Sequence, residues 1–553
     1  PADDAGNYSK TGNIQTENGE YRVDDLKVNE LVHDFMVTAN HTFNEDWSGS
    51  LMLGNNIRQR YTSTNMSATN QSGGLVVPNW YNLANSNGPL NLIEDTWSKR
   101  RLVGVYGDLN VAFREMVYLN ATARNDWSST LPKQNNSFFY PSVSGSFVFS
   151  ELFNPASKIN KIINYGKVRA NWARVGNDTD PYQLLTTFAA TNIEAGFGST
   201  KFPFGDVSAL MSRGTIGNLD LKPEITTSFE IGTELGFLNN RIIADFSYYK
   251  NNSKNQILAI EIPNSTGYGF SLVNAGKIEN HGVELALRGT PIKTTNFTWE
   301  LYGTYTKNDS KVIELLPGVD QVSLGGFSGM NAAAAVGRPY GEFYGVRNAR
   351  DEQGRIIIDP ASGLPVSADK AEYLGTYNPD FQASWGTNVK YKNWSLGAMF
   401  DMKHGGVFYS RTKDITAFVG SSAETGGQRA DIIFPNSVYA DANGNYVENT
   451  EYTYNKEDYF PKILAGENMV DASYVKLRSM NISYKFTRDQ LDRLPFGDIT
   501  VGLFGNNLFI WTPSSNKYAD PEVNSAGAGN LQGFDYTAQP SLRSYGFNVN
   551  VSF

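Results

Sequence analysis

Apolar and polar residues alternate in many parts of this chain, which is the period of a β-strand with two different faces. In the segment 381–391 the apolar side chains, such as Trp385, lie mainly at odd positions, and polar side chains lie between them. The segment 394–404 repeats this alternation. Only Lys392 and Asn393 separate the two segments, which favours a tight turn. We therefore predict a β-hairpin here, with one apolar face and one polar face.

The same alternation predicts about fifteen strands along the whole chain. The predicted ranges are 29–43, 48–61, 100–112, 117–126, 138–150, 164–176, 224–237, 241–250, 278–290, 297–310, 381–391, 394–404, 473–486, 497–511 and 541–553. Strands of about ten residues are long enough to cross a membrane when they are tilted.

The connections between these strands alternate strictly between short and long. Short turns are predicted at 44–47, 113–116, 151–163, 238–240, 291–296, 392–393 and 487–496. Long polar loops are predicted at 62–99, 127–137, 177–223, 251–277, 311–380, 405–472 and 512–540. An outer-membrane barrel has short periplasmic turns and long extracellular loops, whereas a water-soluble sandwich has few loops beyond about 15 residues. The sequence therefore predicts an all-β fold, a transmembrane antiparallel β-barrel.

The odd number of predicted strands conflicts with a closed barrel, because bacterial single-chain barrels have an even number of strands. An odd number leaves two unpaired edges, which a bilayer does not tolerate. We therefore expect either a miscounted strand or further strands that this sequence does not contain.

Composition narrows the class of protein. Hydrophobic residues make up 40% of the chain, and no apolar run approaches the roughly 18 residues of a membrane-spanning helix, so a helical membrane protein is excluded. The net charge of −9 argues against a nucleic-acid partner. The absence of cysteine excludes disulfides and thiolate chemistry. The residues from Pro1 onward show no signal peptide, so we expect a mature chain or a fragment.

Motifs for catalysis are absent from the sequence, which has no nucleophile elbow, phosphate-binding glycine loop or dinucleotide fingerprint. The four histidines, His33, His41, His281 and His404, lie on three predicted strands without the spacing of metal ligands. We therefore predict no enzyme activity, no cofactor and no metal site.

Candidate ligand-binding residues are aromatic and amide side chains of the predicted long loops. Aromatic rings stack on sugars or pack on peptide side chains, and amides hydrogen-bond to hydroxyl and amide groups. The candidates are Trp80, Tyr81, Asn82, Phe343, Tyr344 and Phe418. The alternative is that these residues pack the loops or contact another protein.

Charged residues on the polar face of the predicted strands are expected to line a solvated barrel lumen. They are Lys167, Arg169, Glu284, Arg288, Asp401 and Lys403.

An ordered series of short segments extends over most of the chain. The segments are Asn218–Glu224, Gly236–Arg241, Tyr248–Lys250, Asn274–Glu284, Thr298–Glu300, Gly337–Gly345, Gly375–Phe381, Asp471–Arg478, Asn506–Phe509, Asp520–Glu522 and the final Phe553. In this order and spacing they resemble the C-terminal barrel of SusC/RagA-type TonB-dependent transporters of Bacteroidetes outer membranes. Most of these segments have a structural explanation, such as the turn chemistry of Asn239 and Asn240.

The resemblance implies a 22-stranded barrel that is filled by an N-terminal plug, driven through a periplasmic contact with TonB and covered by a SusD-like lipoprotein. It implies that residues 1–553 are one domain, the C-terminal portion of the barrel, and that the plug and about seven strands lie outside this sequence. The implied function is import of oligosaccharides or oligopeptides across the outer membrane of a Gram-negative bacterium, in contact with outer-membrane lipid.

Two other functions are compatible with the pattern. One is an outer-membrane barrel for secretion or assembly, which would bind a periplasmic translocation partner rather than a surface lipoprotein. The other is a secreted β-rich enzyme or carbohydrate-binding protein, which would be soluble without detergent and would pack its apolar strand faces against each other.

Overall fold

The computed structural model describes residues 19–552 except 71–72, 155, 191–192, 196–197, 201, 203, 213, 328, 427–430, 493–494, 496 and 528. Fifteen strands form one antiparallel sheet, in which each strand pairs with the next strand along the chain, and we call this sheet the wall. The fifteen strands are β1 (Arg22–Thr42), β2 (Trp47–Ala68), β3 (Asn91–Phe113), β4 (Val117–Ser128), β5 (Ser137–Val148), β6 (Ile163–Asn177), β7 (Glu224–Phe237), β8 (Ile242–Glu261), β9 (Phe270–Lys293), β10 (Phe297–Glu314), β11 (Phe381–Tyr391), β12 (Trp394–His404), β13 (Tyr474–Phe486), β14 (Ile499–Trp511) and β15 (Ser544–Val551). A two-residue strand, Thr215–Ile216, joins the sheet in parallel beside Phe270 and Ser271.

Each predicted strand corresponds to one of these fifteen, so the prediction of the sheet is confirmed. Several strands are longer than predicted at the end that leads into a long loop. The predicted loop 251–277 shrinks to 262–269, because β8 and β9 continue as a paired ribbon. Residues 251–256 of this ribbon are all polar and residues 257–260 are all apolar, so the ribbon shows no alternation, but an antiparallel pair satisfies its backbone hydrogen bonds without help from side chains. A prediction from side-chain alternation alone therefore underestimates the length of such strands.

The two faces of the sheet differ in character. Directly opposed residues of neighbouring strands point to the same face. Phe246, Leu285 and Tyr305 form one such apolar row across β8, β9 and β10. Many side chains of this apolar face are exposed, among them Phe246 and Leu287. The sheet therefore has a broad apolar surface that no other part of the described chain covers.

The sheet has two edges, β1 and β15. Within the described residues each of these strands pairs with one neighbour only. The strand β1 is exposed along its entire length. A membrane interior requires edges of this kind to be paired, because unpaired backbone groups are costly in hydrocarbon.

Three long connections, 315–380, 405–473 and 512–543, fold together, and we call them the loop layer. Their shared core contains Met330, Ala332, Phe343, Tyr409 and Phe534, all fully buried. The prediction of these segments as polar loops was incomplete, because the few apolar residues in each segment find partners in the other two.

Helices are short and lie outside the sheet. They are α1 (Lys158–Ile162), α2 (Arg411–Phe418) and α3 (Lys456–Tyr459). Short strands in the connections are Phe188–Ala190, Ile193–Ala195, Gly198–Thr200, Leu210–Ser212, Thr215–Ile216, Gln321–Phe327, Met330–Ala335, Glu342–Gly345, Ile356–Ile357, Glu372–Thr376, Val407–Ser410, Ile432–Ile433, Ser437–Ala440, Tyr446–Glu448, Thr453–Tyr454, Met469–Asp471 and Phe534–Asp535. Among the described residues, no helix has the length and apolarity needed to cross a membrane.

Candidate ligand-binding and transport site

The polar face of the sheet carries the charged residues that the sequence suggested for the lumen. One row of opposed residues connects eight strands, and its members are Arg169, Gly232, Ser247, Glu284, Thr306, Gln382, Lys403 and Tyr474. Lys167, Arg288 and Asp401 share this face, because each lies an even number of residues from a member of the row on its own strand. All six candidates therefore lie on one face.

Three of these six charged residues, Arg169, Arg288 and Asp401, form ion pairs. The Arg169 guanidinium donates to both carboxylate oxygens of Asp245, at 3.1 and 2.7 Å. Arg288 donates to Glu300 at 2.6 Å. The polar face is thus a mosaic of ion pairs with amide and hydroxyl groups, which suits a hydrated surface.

A buried ionic cluster joins the wall to the loop layer. Its members are Asp401, Tyr474, Lys476, Arg478, Asp520 and Glu522. The Lys476 ammonium donates to both oxygens of Asp520, at 2.7 and 2.9 Å, and also to Glu522. Arg478 donates to Glu522 at 2.7 Å and to Asp401 at 3.0 Å. The side chain of Lys476 is only 2% exposed, so its charge depends on these partners.

The tyrosine of this cluster completes the network. The Tyr474 hydroxyl lies 2.8 Å from Glu522 and 3.1 Å from Asp401. Burial alone would raise the pKa of Glu522, but hydrogen bonds from Arg478, Lys476 and Tyr474 outweigh it and lower the pKa to about 2. The pKa of Asp520 is lowered in the same way, against the effect of burial, by Lys476 and Ser541. Both carboxylates are therefore held ionised.

A second buried carboxylate fixes the connection that follows β6. Asp178 accepts hydrogen bonds from Arg100 of β3, with Nε at 3.1 Å, and from the Thr130 hydroxyl at 3.0 Å. Ser128 donates to the same carboxylate. The side chain of Asp178 is 2% exposed. Long loops are thus attached to the strands by buried ionic contacts at two separate places.

Two of the aromatic candidates, Trp80 and Tyr81, lie in one loop and are 54% and 52% exposed. The amide of Asn85 holds this loop, since it donates to the carbonyls of Val77 and Trp80 at 2.7 and 2.8 Å. The Asn82 side chain accepts from the backbone N–H of Ala84 at 2.9 Å, so its carbonyl oxygen has a local role. The Tyr81 ring lies beside Tyr21, with ring centroids 6.4 Å apart, and about half of the surface of Trp80 and of Tyr81 faces solvent.

The candidates in the loop layer have different surroundings. Phe343 is fully buried and packs against Phe534, with ring centroids 5.3 Å apart. Its ring has no free face, so the interpretation of Phe343 as a stacking residue is replaced by a packing role. Tyr344 is half-buried beside Tyr373, with centroids 5.1 Å apart. Phe418 lies at the end of α2 and is 61% exposed.

The histidines lie on β1, β9 and β12. The part of the chain that the structure describes contains no group of three or more His, Asp or Glu side chains arranged to hold a metal ion.

Sequence reasoning missed the ionic cluster as a unit, although it noted the segments Asp471–Arg478 and Asp520–Glu522 separately. A signal was present, because Tyr474, Lys476 and Arg478 alternate onto the polar face of one strand. Asp520 and Glu522 lie in the connection 512–543, and nothing in their local sequence indicates that they pair with β13.

An up-and-down sheet with an exposed apolar face, an ionic polar face and folded long loops defines the wall of an outer-membrane barrel. The chain matches the family model described as "TonB dependent receptor-like, beta-barrel" over residues 2–508, and it belongs to that family. This match favours the receptor prediction over the secretion barrel and the secreted protein.

Individual relatives agree with the family. TonB-dependent receptor P26 of Formosa agariphila is 26% identical over 501 residues, which cover 85% of this chain and 48% of the relative. TonB-dependent receptor SusC of Bacteroides thetaiotaomicron is 25% identical, over 82% of this chain and 44% of the relative. The chain thus spans about half the length of the curated relatives it matches.

Solved structures share the fold. The RagAB peptide transporter superposes with a TM-score of 0.73 at 17% identity, over 97% of this chain and 56% of that chain. The same importer in its "open-open" state gives a TM-score of 0.74 at 18% identity. The protein is therefore similar to SusC/RagA-type transporters in sequence and in barrel fold.

Proposed function

We propose that this chain is the barrel portion of a TonB-dependent importer that takes up oligosaccharides or oligopeptides across the outer membrane of a Gram-negative bacterium. The observation that carries the proposal is the continuous fifteen-stranded sheet, which matches the TonB-dependent receptor family and has the fold of the RagAB transporter. The relatives in this family are receptors and transporters rather than enzymes.

The partners follow from the same relationship. A SusD-like lipoprotein would cover the long loops, and the loop layer offers it a folded surface with its own core. TonB would act through a segment that lies outside these residues. The apolar face of the wall would contact lipid, and further strands would pair with β1 and β15 to close the barrel.

The ligand would be recognised by exposed loop residues and would then pass along the polar wall. Trp80, Tyr81, Tyr344 and Phe418 offer aromatic surfaces that suit sugar rings or peptide side chains. The charged lumen residues keep the wall hydrated. Asn82 contributes chiefly by shaping the loop that carries Trp80 and Tyr81.

The test is uptake by cells that make the whole protein. A deletion strain is supplied with labelled pools of neutral oligosaccharides or of oligopeptides, with TonB active or inactivated. We expect one pool to enter only when the protein and TonB are both present. Uptake that persists without either component, or export of a protein in place of uptake, would contradict the proposal.

The role of the loop aromatics needs a matched comparison. The double variant Trp80→Ala/Tyr81→Ala should raise the ligand concentration needed for half-maximal uptake several-fold. The control, Trp47→Ala/Tyr391→Ala, removes two similarly exposed aromatic residues near the short turns. It should leave that concentration unchanged when uptake is normalised to the amount of folded protein.

A further inference from the structure

Five lysines lie on the apolar face of three neighbouring strands, β8, β9 and β10, just beyond its apolar part. They are Lys250, Lys254, Lys277, Lys307 and Lys311, and we call them the lysine cluster. The pairing register shows where this face changes from apolar to charged residues. Phe246 opposes Leu285, whereas four residues further along β8 Lys250 opposes His281.

The cluster lies at the distance from the short turns at which a bilayer ends. The segment from Ile242, the first residue of β8, to Lys250 contains nine residues. A tilted transmembrane strand needs about 9–11 residues to cross the hydrocarbon region. The lysines therefore begin where lipid head groups replace hydrocarbon, on the side of the long loops.

Protein carboxylates neutralise only part of the cluster. Lys250 pairs with Glu279 at 2.9 Å, and Lys307 pairs with Asp309 at 3.5 Å. Glu314 opposes Lys277 in the register. Within the described structure, however, Lys254, Lys277 and Lys311 form no ion pair within 4.0 Å.

Two of the unpaired lysines oppose each other directly, since Lys254 of β8 faces Lys277 of β9. Like charges in opposed positions of an antiparallel pair are destabilising. Lys311 is adjacent, because it opposes Glu279, two residues from Lys277. An anion bound between the three ammonium groups would offset this repulsion.

We propose that Lys254, Lys277 and Lys311 bind the phosphate groups of a phosphorylated glycolipid in the outer leaflet of the membrane. This inference rests on the proposed placement of the chain in an outer membrane. Basic residues at the edge of an apolar membrane surface attract anionic lipid head groups. The lysine side chain supplies a flexible point charge that reaches phosphate oxygens. The bound lipid would form part of the seal around β8, β9 and β10.

The experiment uses the whole protein in a neutral detergent, with diphosphoryl lipid A as the probe and its dephosphorylated form as the reference. Retained lipid is measured by native mass spectrometry. The wild type should bind the diphosphoryl form at least tenfold more tightly than the reference. Lys254→Gln/Lys277→Gln/Lys311→Gln should lose at least tenfold in this affinity. The control Lys293→Gln/Lys390→Gln/Lys392→Gln removes three lysines near the short turns and should bind as the wild type does.

Heat-modifiable migration on gels reports the folding of each variant, so that a misfolded sample is recognised and replaced by the single Lys277→Gln variant. Equal binding of the probe by wild type and cluster variant would overturn the proposal. Loss of a copurifying acidic protein with unchanged lipid binding would also overturn it and assign the cluster to a protein partner. Failure of the whole protein to fractionate with outer membranes would instead contradict the proposed function.

Discussion

The wall and the loop layer place their apolar side chains in opposite ways. On the wall, Phe246 and Leu287 are 41% and 47% exposed, and the polar side chains form the other face. In the loop layer, Phe343 and Phe534 are completely buried. The loop layer thus follows the rule of water-soluble proteins, whereas the wall inverts it. The two regions are therefore suited to different surroundings. The boundary between them lies where the apolar part of the long strands ends and the strands continue towards the long loops.

The ion pairs of the wall and those that attach the loop layer also differ in exposure. The wall pair Arg288 and Glu300 lies in an exposed position, where solvent screens the interaction. Lys476 is enclosed between Asp520 and Glu522, where removal of one partner leaves uncompensated charge. The ionic cluster is therefore the point at which the loop layer depends most strongly on the wall.

The largest effect is expected from Lys476→Met, which leaves Asp520 and Glu522 buried without their shared cation. We expect a loss of about 3–5 kcal/mol in the free energy of unfolding of the attached loop layer. Hydrogen exchange of residues 512–543 measures it. The control is Lys485→Met, which breaks the exposed pair with Asp498. Similar exchange in both variants would show that burial of the cluster has little effect.

An effect of similar size is expected from Phe343→Ala, which opens a cavity in the shared core of the loop layer. The expected cost is about 3–5 kcal/mol, measured by denaturant unfolding of the loop layer with hydrogen exchange as the probe. Phe418→Ala removes an exposed ring and should change stability by less than about 0.5 kcal/mol. Equal costs would contradict the assignment of Phe343 to packing.

On the wall, a charge should be tolerated on one face only. Ala398 opposes Met480 on the apolar face, and Ser395 opposes Lys390 on the polar face. Ala398→Arg should cost roughly 2–4 kcal/mol in lipid, whereas Ser395→Arg should cost little. The free energy of unfolding of both variants is measured in lipid vesicles. Equal losses in the two variants would contradict the assignment of one face to lipid and the other to the lumen.

The smallest effect is a dependence on pH. Since the pKa of Glu522 is lowered from 4.5 to about 2, its ionised form contributes stability above pH 4.5, and this contribution is lost as the pH falls through 2. The protection factors of amides in residues 512–543, corrected for the intrinsic exchange rate at each pH, should fall at least about tenfold across this window. In Glu522→Gln the step should shrink to the contribution of Asp520, whose pKa is also lowered. A step of equal size in that variant would assign the titration to another group.

The sheet was predictable from the sequence because alternation is a local pattern. In each strand of the wall, consecutive residues point to the apolar face and to the polar face in turn. The Lys392 and Asn393 turn between β11 and β12 illustrates this, since both flanking strands match the prediction at both ends.

The loop layer was not predictable by the same means. Phe343 and Phe534 belong to different connections, and only the folded wall brings them together. Lys476 and Asp520 likewise meet across a long sequence separation, so neither segment alone indicates a buried ion pair. The structure also distinguishes ligand-binding candidates that the sequence could not distinguish, since the side chain of Phe343 is buried and that of Phe418 is exposed.

The most direct test of the account is accessibility along β12 in a lipid bilayer. Single cysteines at positions 394–404, in the whole protein without other cysteines, are spin-labelled and exposed to oxygen and to a water-soluble nickel chelate. We predict oxygen maxima at 396, 398, 400 and 402, and chelate maxima at 395, 397 and 399; position 401 is left out of this comparison because Asp401 belongs to the ionic cluster. Chelate access at both sets, or no alternation, would contradict the claim that the apolar face of the wall contacts lipid.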